Sequence, residues 1–186
     1  MKWSWKLGEI AGIGVFMHST FLILIAWIGI SYWRAEQSAV AVAEGIGFIL
    51  ALFGCVLLHE LGHALAAQRY GIQTRDITLL PIGGLARLER MPEDPKQELV
   101  VAIAGPLVNV AIAIALLIGL SISGGLESFE STAASGGGFL TRLMFVNVVL
   151  VVFNMLPAFP MDGGRVLRAV LATQMGYAKA TQKAAS

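Results

Sequence analysis

The sequence predicts an all-α polytopic membrane protein, a bundle of about five transmembrane helices with a small β-like re-entrant loop. Of its 186 residues, 56% are hydrophobic and only 13% are charged, and long stretches contain no charged residue. A soluble domain of this length usually has about a quarter of its residues charged and cannot bury so much apolar surface. Transmembrane helices do not have to bury their apolar surface inside the protein, because lipid surrounds them.

Four stretches are long and apolar enough to cross a hydrocarbon core, which takes roughly 20 residues. No Asp, Glu, Lys or Arg occurs in the first stretch, and the second is interrupted by Glu44 and by a cluster near its end. A shorter helix is predicted after them. The four predicted spans are Ile10 to Trp33, Ala39 to Ala67, Leu99 to Leu126 and Gly136 to Leu156, and the short helix is Gly163 to Met175.

The segment from Thr74 to Glu89 has a different pattern, because short apolar runs alternate with proline and glycine. This pattern predicts short strands or a re-entrant loop. An exposed strand there could pair with an extended peptide substrate. A simple amphipathic loop at the membrane surface explains the pattern equally well.

Lysine and arginine are distributed unequally between the two sides of this arrangement. Short cytoplasmic connections collect these residues, so we expect the N-terminus and the candidate site to face the cytoplasm. Arg34 and Arg142 fall on the opposite side. The cytoplasmic set is Lys2, Lys6, Arg69, Arg75, Arg87, Arg90, Lys96, Arg165 and Arg168.

Two classes of protein are excluded by the same composition. The thirteen Lys and Arg residues are scattered and form no dense basic run, so we expect no nucleic-acid partner. Cys55 is the only cysteine, so a framework of internal disulfides is impossible. The expected surroundings are the lipid bilayer.

His59, Glu60 and His63 form the pattern His-Glu-x-x-His. Residues four apart share one face of a helix, so both imidazoles can bind one ion, and zinc suits neutral imidazole nitrogen. The Glu60 carboxylate can take a proton from water that attacks a carbonyl. Ionisable side chains at membrane depth are costly unless they are paired or metal-bound. The cluster therefore predicts a zinc hydrolase site rather than a solvated helical face.

A catalytic zinc needs a third protein ligand, and Asp162 is the best candidate. Two prolines end the fourth span before Asp162, and two glycines release the backbone after it. A solvated turn aspartate is the alternative. Asn154 ends the same span, where its amide could donate to the oxyanion formed during attack or could make a capping or interhelical hydrogen bond.

Three other polar residues have plainer interpretations. His18 could contact the site or gate it, but a hydrogen bond between helices explains it better. Asn109, beside Gly105 and Pro106, is typical of close helix packing. Cys55 lies one turn before His59, and with three better ligands available it is read as a core residue.

With these motifs, the chain resembles the site-2 protease family of intramembrane metalloproteases, in its archaeal and bacterial branch. The loop from Leu80 to Gly84 adds to the resemblance. The motifs are His59 to His63, Gly105-Pro106-x-x-Asn109, and Asn154 to Gly164, whose family form is Asn-x-x-Pro-x-x-Pro-x-Asp-Gly-Gly.

The resemblance implies that His59, His63 and Asp162 bind one zinc ion per chain and that Glu60 is the catalytic base. It also implies a substrate that is itself a transmembrane helix. The family core usually has six spans, so we expect residues 1–186 to be a single metalloprotease core domain truncated at its C-terminus. Many relatives carry a regulatory pair of CBS modules after the core, and nothing in this chain corresponds to them.

The predicted function is that of an intramembrane zinc endopeptidase acting in regulated intramembrane proteolysis. A zinc-binding membrane transporter is an alternative, because intramembrane His and Asp also mark ion pathways. A transporter, however, has no need of a carboxylate such as Glu60 that does not bind the metal. The other alternative is an inactive protease-like protein that only binds membrane partners.

Overall fold

The computed structural model describes residues 3–92, 94–123 and 138–184. These residues form one four-stranded sheet and six helices. The strands are β1 Ser4–Ile10, β2 Ile13–His18, β3 Thr74–Leu80 and β4 Gly83–Leu88. The helices are α1 Thr20–Glu36, α2 Ala39–Gln68, α3 Pro95–Ile122, α4 Phe139–Asn154, α5 Asp162–Ala172 and α6 Tyr177–Ala184.

The four strands pair in the order β1-β2-β3-β4. The central pair, β2 and β3, is parallel, with Val15 opposite Ile77, and the two outer pairs are antiparallel. A parallel pair needs a long crossover connection, which α1 and α2 supply here. Ile13 and Ile77 are fully buried and pack with Leu61 and Ala64. The sheet therefore packs against the part of α2 that carries the His-Glu-x-x-His pattern.

The predicted start of the first span is wrong. Residues 13–18 form β2, and the first helix begins only at Thr20. A stretch without charged residues is compatible with a buried strand as well as with a helix, and pairing with β3 decides the matter. His18 consequently ends a strand, and its Nδ1 lies 2.8 Å from Thr20 Oγ1 rather than between two helices.

The predicted all-α class is correct for most of the chain but omits half of the sheet. The segment from Thr74 to Glu89 forms strands, as one of the two interpretations predicted. The N-terminal hairpin of β1 and β2 was not predicted, because most of its uncharged residues were assigned to the first span and because β3, the strand that β2 joins, lies more than fifty residues further along the chain. Local sequence carries no signal of such a pairing.

Among the described residues, two helices are long and apolar enough to cross a membrane: α2 with 30 residues and α3 with 28. Only 28% and 33% of their most apolar windows are buried inside the structure, whereas the core helix of a soluble protein is mostly buried. α4 is apolar but has 16 residues. α5 has 11 residues, a length of about 16 Å, which is too short for a hydrocarbon core of about 30 Å.

The number of about five spans therefore stays a prediction. The end of the third predicted span, residues 124–126, and the first two residues of the fourth, 136 and 137, lie outside the described residues. Lys2, which belongs to the predicted cytoplasmic set, also lies outside them.

A buried ion pair joins α3 to α5. The Arg168 Nε donates to Glu98 Oε1 over 2.8 Å, and a second guanidinium nitrogen bonds to the same oxygen. The guanidinium also lies 5.4 Å from the ring centroid of Phe159 and 5.2 Å from that of Tyr177. Burial, together with the Glu98 carboxylate, raises the pKa of Tyr177. The pair thus ties α5, α6 and the preceding loop to the start of α3.

We expect Arg168→Leu to destabilise the protein by about 3 to 5 kcal/mol, because it leaves the Glu98 carboxylate buried without its partner. The double change Glu98→Leu with Arg168→Leu removes both charges and should recover most of that loss. Unfolding in detergent, followed by circular dichroism, measures both values. An equal loss in the single and double variants would mean that the ion pair is not the cause.

Candidate metal centre

Three buried side chains from two helices converge on one point. His59 Nε2, His63 Nε2 and Asp162 Oδ2 form a triangle in which each pair of atoms is 3.1 Å apart. Ligand atoms around a tetrahedral zinc ion at bond lengths of about 2.0 to 2.1 Å are about 3.3 Å apart. The spacing and the donor set of two imidazoles and one carboxylate therefore fit zinc.

The other nitrogen of each imidazole is occupied. His63 Nδ1 lies 2.7 Å from the Val101 carbonyl oxygen, and His59 Nδ1 lies 2.6 Å from Asn109 Oδ1. A carbonyl oxygen only accepts, so with these two oxygens facing the rings each Nδ1 carries the hydrogen and each Nε2 presents a lone pair. Three lone pairs that face one another in a buried site repel unless a cation lies between them, which is the arrangement of a metal-binding triad.

Close packing of α3 against α2 holds His63 in place. Gly105 lies directly against the His63 ring, and a Cβ on Gly105 would overlap ring atoms including Nε2. Gly62, between the two histidines, is equally tight, since a Cβ there would be 2.8 Å from the Ala104 carbonyl oxygen. Glycine at these two positions is therefore required by space.

Asp162 is the first residue of α5 and follows a short irregular segment after α4. The prediction that the next two glycines release the backbone is wrong, because both are helical. A Cβ on Gly163 would overlap the Met155 and Leu156 carbonyl groups, and a Cβ on Gly164 would be 2.8 Å from the Ala158 carbonyl carbon. The two glycines let the start of α5 approach the end of α4, which brings Asp162 to the histidines.

A cavity of about 450 Å³ opens beside His59, His63 and Asp162. The half-buried Glu60 side chain lies between this cavity and strand β4, where a Cβ on Gly84 would be 2.6 Å from Glu60 Cγ. The cavity has room for a peptide segment next to a carboxylate. Its walls include Glu60, Gly84, Leu85, Asn154, Met161 and Arg165.

Asn154 also borders this cavity, and one of its amide hydrogens is donated to the Leu150 carbonyl over 2.9 Å. Arg165 was not singled out from the sequence as a site residue. Its Nη1 lies 3.9 Å from Asp162 Oδ1, so it adds a positive charge beside the third ligand residue. An arginine three residues after an acid on a helix is the signal that could have found it.

Asn109 and Asn147 are the buried polar residues whose roles the sequence interpretation missed. Both are fully buried, and Asn109 contacts His59 rather than serving only in helix packing. An amide in an otherwise apolar helix is the available signal. His18 and Cys55 are not part of the metal-binding group among the described residues.

Comparison with known proteins shows which protein family this chain resembles. The sequence profile of peptidase family M50 matches residues 47–136 and 121–186. The chain is similar to a zinc metalloprotease of Methanocaldococcus jannaschii, with 41% identity over the whole chain and 51% of the relative. It is also similar to stage IV sporulation protein FB of Bacillus subtilis, with 33% identity over 71% of this chain and 43% of that protein.

A solved structure resembles the whole described fold. The site-2 protease from Methanocaldococcus jannaschii matches with a TM-score of 0.68 and 38% identity, over 98% of this chain and 78% of that one. The chain spans about half the length of the curated relatives it matches.

We expect Gly105→Ala to weaken zinc binding by about 10- to 100-fold, because the added methyl group displaces the His63 ring. Gly119→Ala on the same helix is the matched control, since a Cβ there has no atom within 4 Å. Chelator competition on purified protein in detergent measures both affinities. Equal zinc affinity in the two variants would contradict the placement of His63 in a metal site.

Proposed function

The chain belongs to peptidase family M50, and from this premise we propose that it is an intramembrane zinc endopeptidase that hydrolyses peptide bonds of transmembrane substrates. One observation carries the proposal. The ligand atoms of His59, His63 and Asp162 meet within 3.1 Å at the edge of a cavity that also contains Glu60. That combination of a zinc-type donor set and a nearby base is the requirement for hydrolysis.

His59, His63 and Asp162 would hold one zinc ion per chain, and the ion would supply a Lewis acid for the attacking water and for the substrate carbonyl. Glu60 takes a proton from the attacking water and returns it to the leaving amine. Asn154 has two amide hydrogens, and one of them is donated to the Leu150 carbonyl. Asn154 donates the other to the developing oxyanion. Arg165 places a positive charge 3.9 Å from Asp162 Oδ1, beside the proposed third ligand.

The substrate lies extended along strand β4 in this proposal. A helical substrate keeps its carbonyl groups bonded internally, so the segment to be cut must unwind and find new hydrogen-bond partners. β4 is the last strand in the order of the sheet, and residues 83–86 border the cavity. Its outer edge is the surface at which a strand can be added.

The membrane arrangement is part of the same proposal. α1 to α4 cross the bilayer and α5 is the short fifth helix of the bundle. Residues 1–186 form one catalytic core with its N-terminus and metal centre toward the cytoplasm. The apolar lengths of α2 and α3 support the crossing. The excess of lysine and arginine on one side supports the orientation.

We expect Glu60→Gln to keep zinc at the wild-type level and to lower cleavage by about 100- to 10,000-fold, because the amide cannot accept the proton of water. Zinc content and cleavage of a purified single-span substrate, both in detergent, give the two readings. Glu44→Gln is the matched control, because it makes the same chemical change at an exposed position near the start of the same helix.

The alternatives give different results in that experiment. A transporter or an inactive protein binds zinc but shows no cleavage in the wild-type chain. Cleavage that survives Glu60→Gln at the level of the Glu44→Gln control would exclude Glu60 as the base.

We expect Arg34→Cys to react with a membrane-impermeant maleimide in intact cells, and Lys96→Cys to react only after the membrane is permeabilised. Both positions are exposed and lie at opposite ends of the proposed spans. The wild-type chain provides the blank, because its single cysteine, Cys55, is buried. The reverse labelling pattern would overturn the proposed orientation.

A further inference from the structure

We propose that Asn147 is a positioning residue. Acting through Asn109, it keeps the His59 hydrogen on Nδ1 and so leaves Nε2 free to bind the metal. The buried amides of Asn109 and Asn147 are called the relay below. This inference rests on the proposed zinc site and concerns the tautomer of the His59 imidazole in the absence of the metal. It assigns a role to a residue of α4 that lies outside the metal-binding group.

The two histidines obtain their orientation by different means. His63 Nδ1 bonds directly to the Val101 carbonyl of the backbone over 2.7 Å. This oxygen can only accept, so the hydrogen of the imidazole must lie on Nδ1 and Nε2 must be free. His59 has no such carbonyl and bonds to the side chain of Asn109 instead.

A side-chain amide does not by itself determine where the His59 hydrogen lies. An asparagine presents an oxygen in one orientation and an NH₂ group in the other, and the two have almost the same shape. With its oxygen toward His59, Asn109 accepts from Nδ1 and leaves Nε2 for the metal. With its NH₂ group toward His59, it forces the hydrogen onto Nε2, which then cannot bind an ion.

Asn147 removes this ambiguity. The Asn109 NH₂ group donates to Asn147 Oδ1 over 2.8 Å, so the Asn109 oxygen must face His59. The Asn147 NH₂ group donates to the Leu143 carbonyl over 2.8 Å, and Cys55 Sγ accepts a weaker bond at 3.4 Å. The Leu143 carbonyl cannot donate, so a reversed Asn147 would place two oxygens against each other.

The relay therefore ends, as the direct contact of His63 does, on a backbone carbonyl. Its two amides are fully buried, so water cannot replace a missing partner and a reversed amide would leave buried groups unsatisfied. The direction of every hydrogen bond from Leu143 to His59 follows from that single acceptor.

The most direct test locates the hydrogen on His59 in metal-free protein. The chain has three histidines, so ¹⁵N-histidine labelling gives few signals, and long-range ¹H–¹⁵N correlation in micelles distinguishes Nδ1–H from Nε2–H. We expect Nδ1–H at His59 in the wild type and a shift toward Nε2–H in Asn147→Leu. His63 should keep Nδ1–H in both, because its acceptor is backbone.

A second measurement uses zinc affinity from chelator competition. We expect Asn147→Leu to weaken zinc binding by about 10- to 100-fold. Leu143→Ala is the control for lost packing, because it truncates a buried side chain on the same helix while keeping the backbone carbonyl. It should change zinc affinity by less than the Asn147 variant does.

The Asn109→Asp background supplies the decisive comparison. A carboxylate only accepts in its ionised form, so it cannot present a donor to His59 and does not need Asn147 to orient it. Asn147→Leu should therefore cost little zinc affinity in this background. If Asn147→Leu alone does not fold, Asn147→Ala takes its place, because it removes the same amide, and it should move the His59 hydrogen in the same direction.

The two proposals fail in different ways. If the wild type binds no zinc but the His59 hydrogen moves in Asn147→Leu, the zinc-peptidase proposal is wrong and the relay stands. An unchanged His59 hydrogen in Asn147→Leu overturns the relay. An equal loss of zinc affinity with and without Asn109→Asp overturns it as well.

Discussion

The structure depends on one electrostatic constraint, the placement of three electron-pair donors 3.1 Å apart inside an apolar protein. Such a group is stable only if a cation neutralises it and if every other polar atom of the three residues has a partner. The short sheet, the glycines and the buried amides all serve that requirement. His59, His63 and Asp162 are all buried, so their remaining polar atoms depend on partners within the protein.

One face of α3 meets most of this requirement. Glu98, Val101, Gly105 and Asn109 are spaced by three or four residues and therefore lie along one stripe. Glu98 bonds to α5, the Val101 carbonyl and Asn109 accept from the two histidines, and Gly105 makes room for a ring. The helix thus acts as a common support for ligand residues from both of its neighbours.

The sequence singled out the three residues that the structure brings together at the candidate metal centre, and it predicted the long helices, but it did not predict the groups that contact the two histidines from behind. Histidines four apart in an apolar stretch are a strong local signal, and prolines mark the segment before Asp162. The start of the first span was predicted ten residues too early, because absence of charge does not distinguish a helix from a buried strand. Asn109 was assigned to packing, since the partner of an amide depends on which helices are adjacent.

The sequence by itself determined which residues are candidates for a metal centre, because residue types and short spacings on a helix are local properties. Only the tertiary structure decided how these residues are brought together and which buried groups contact them. The contact of Gly163 with the end of α4, the pairing of β2 with β3 and the bond from Asn109 to Asn147 join residues distant in the chain or separated by a turn. Their geometry follows from packing and from the need to pair buried polar groups, which no local pattern encodes.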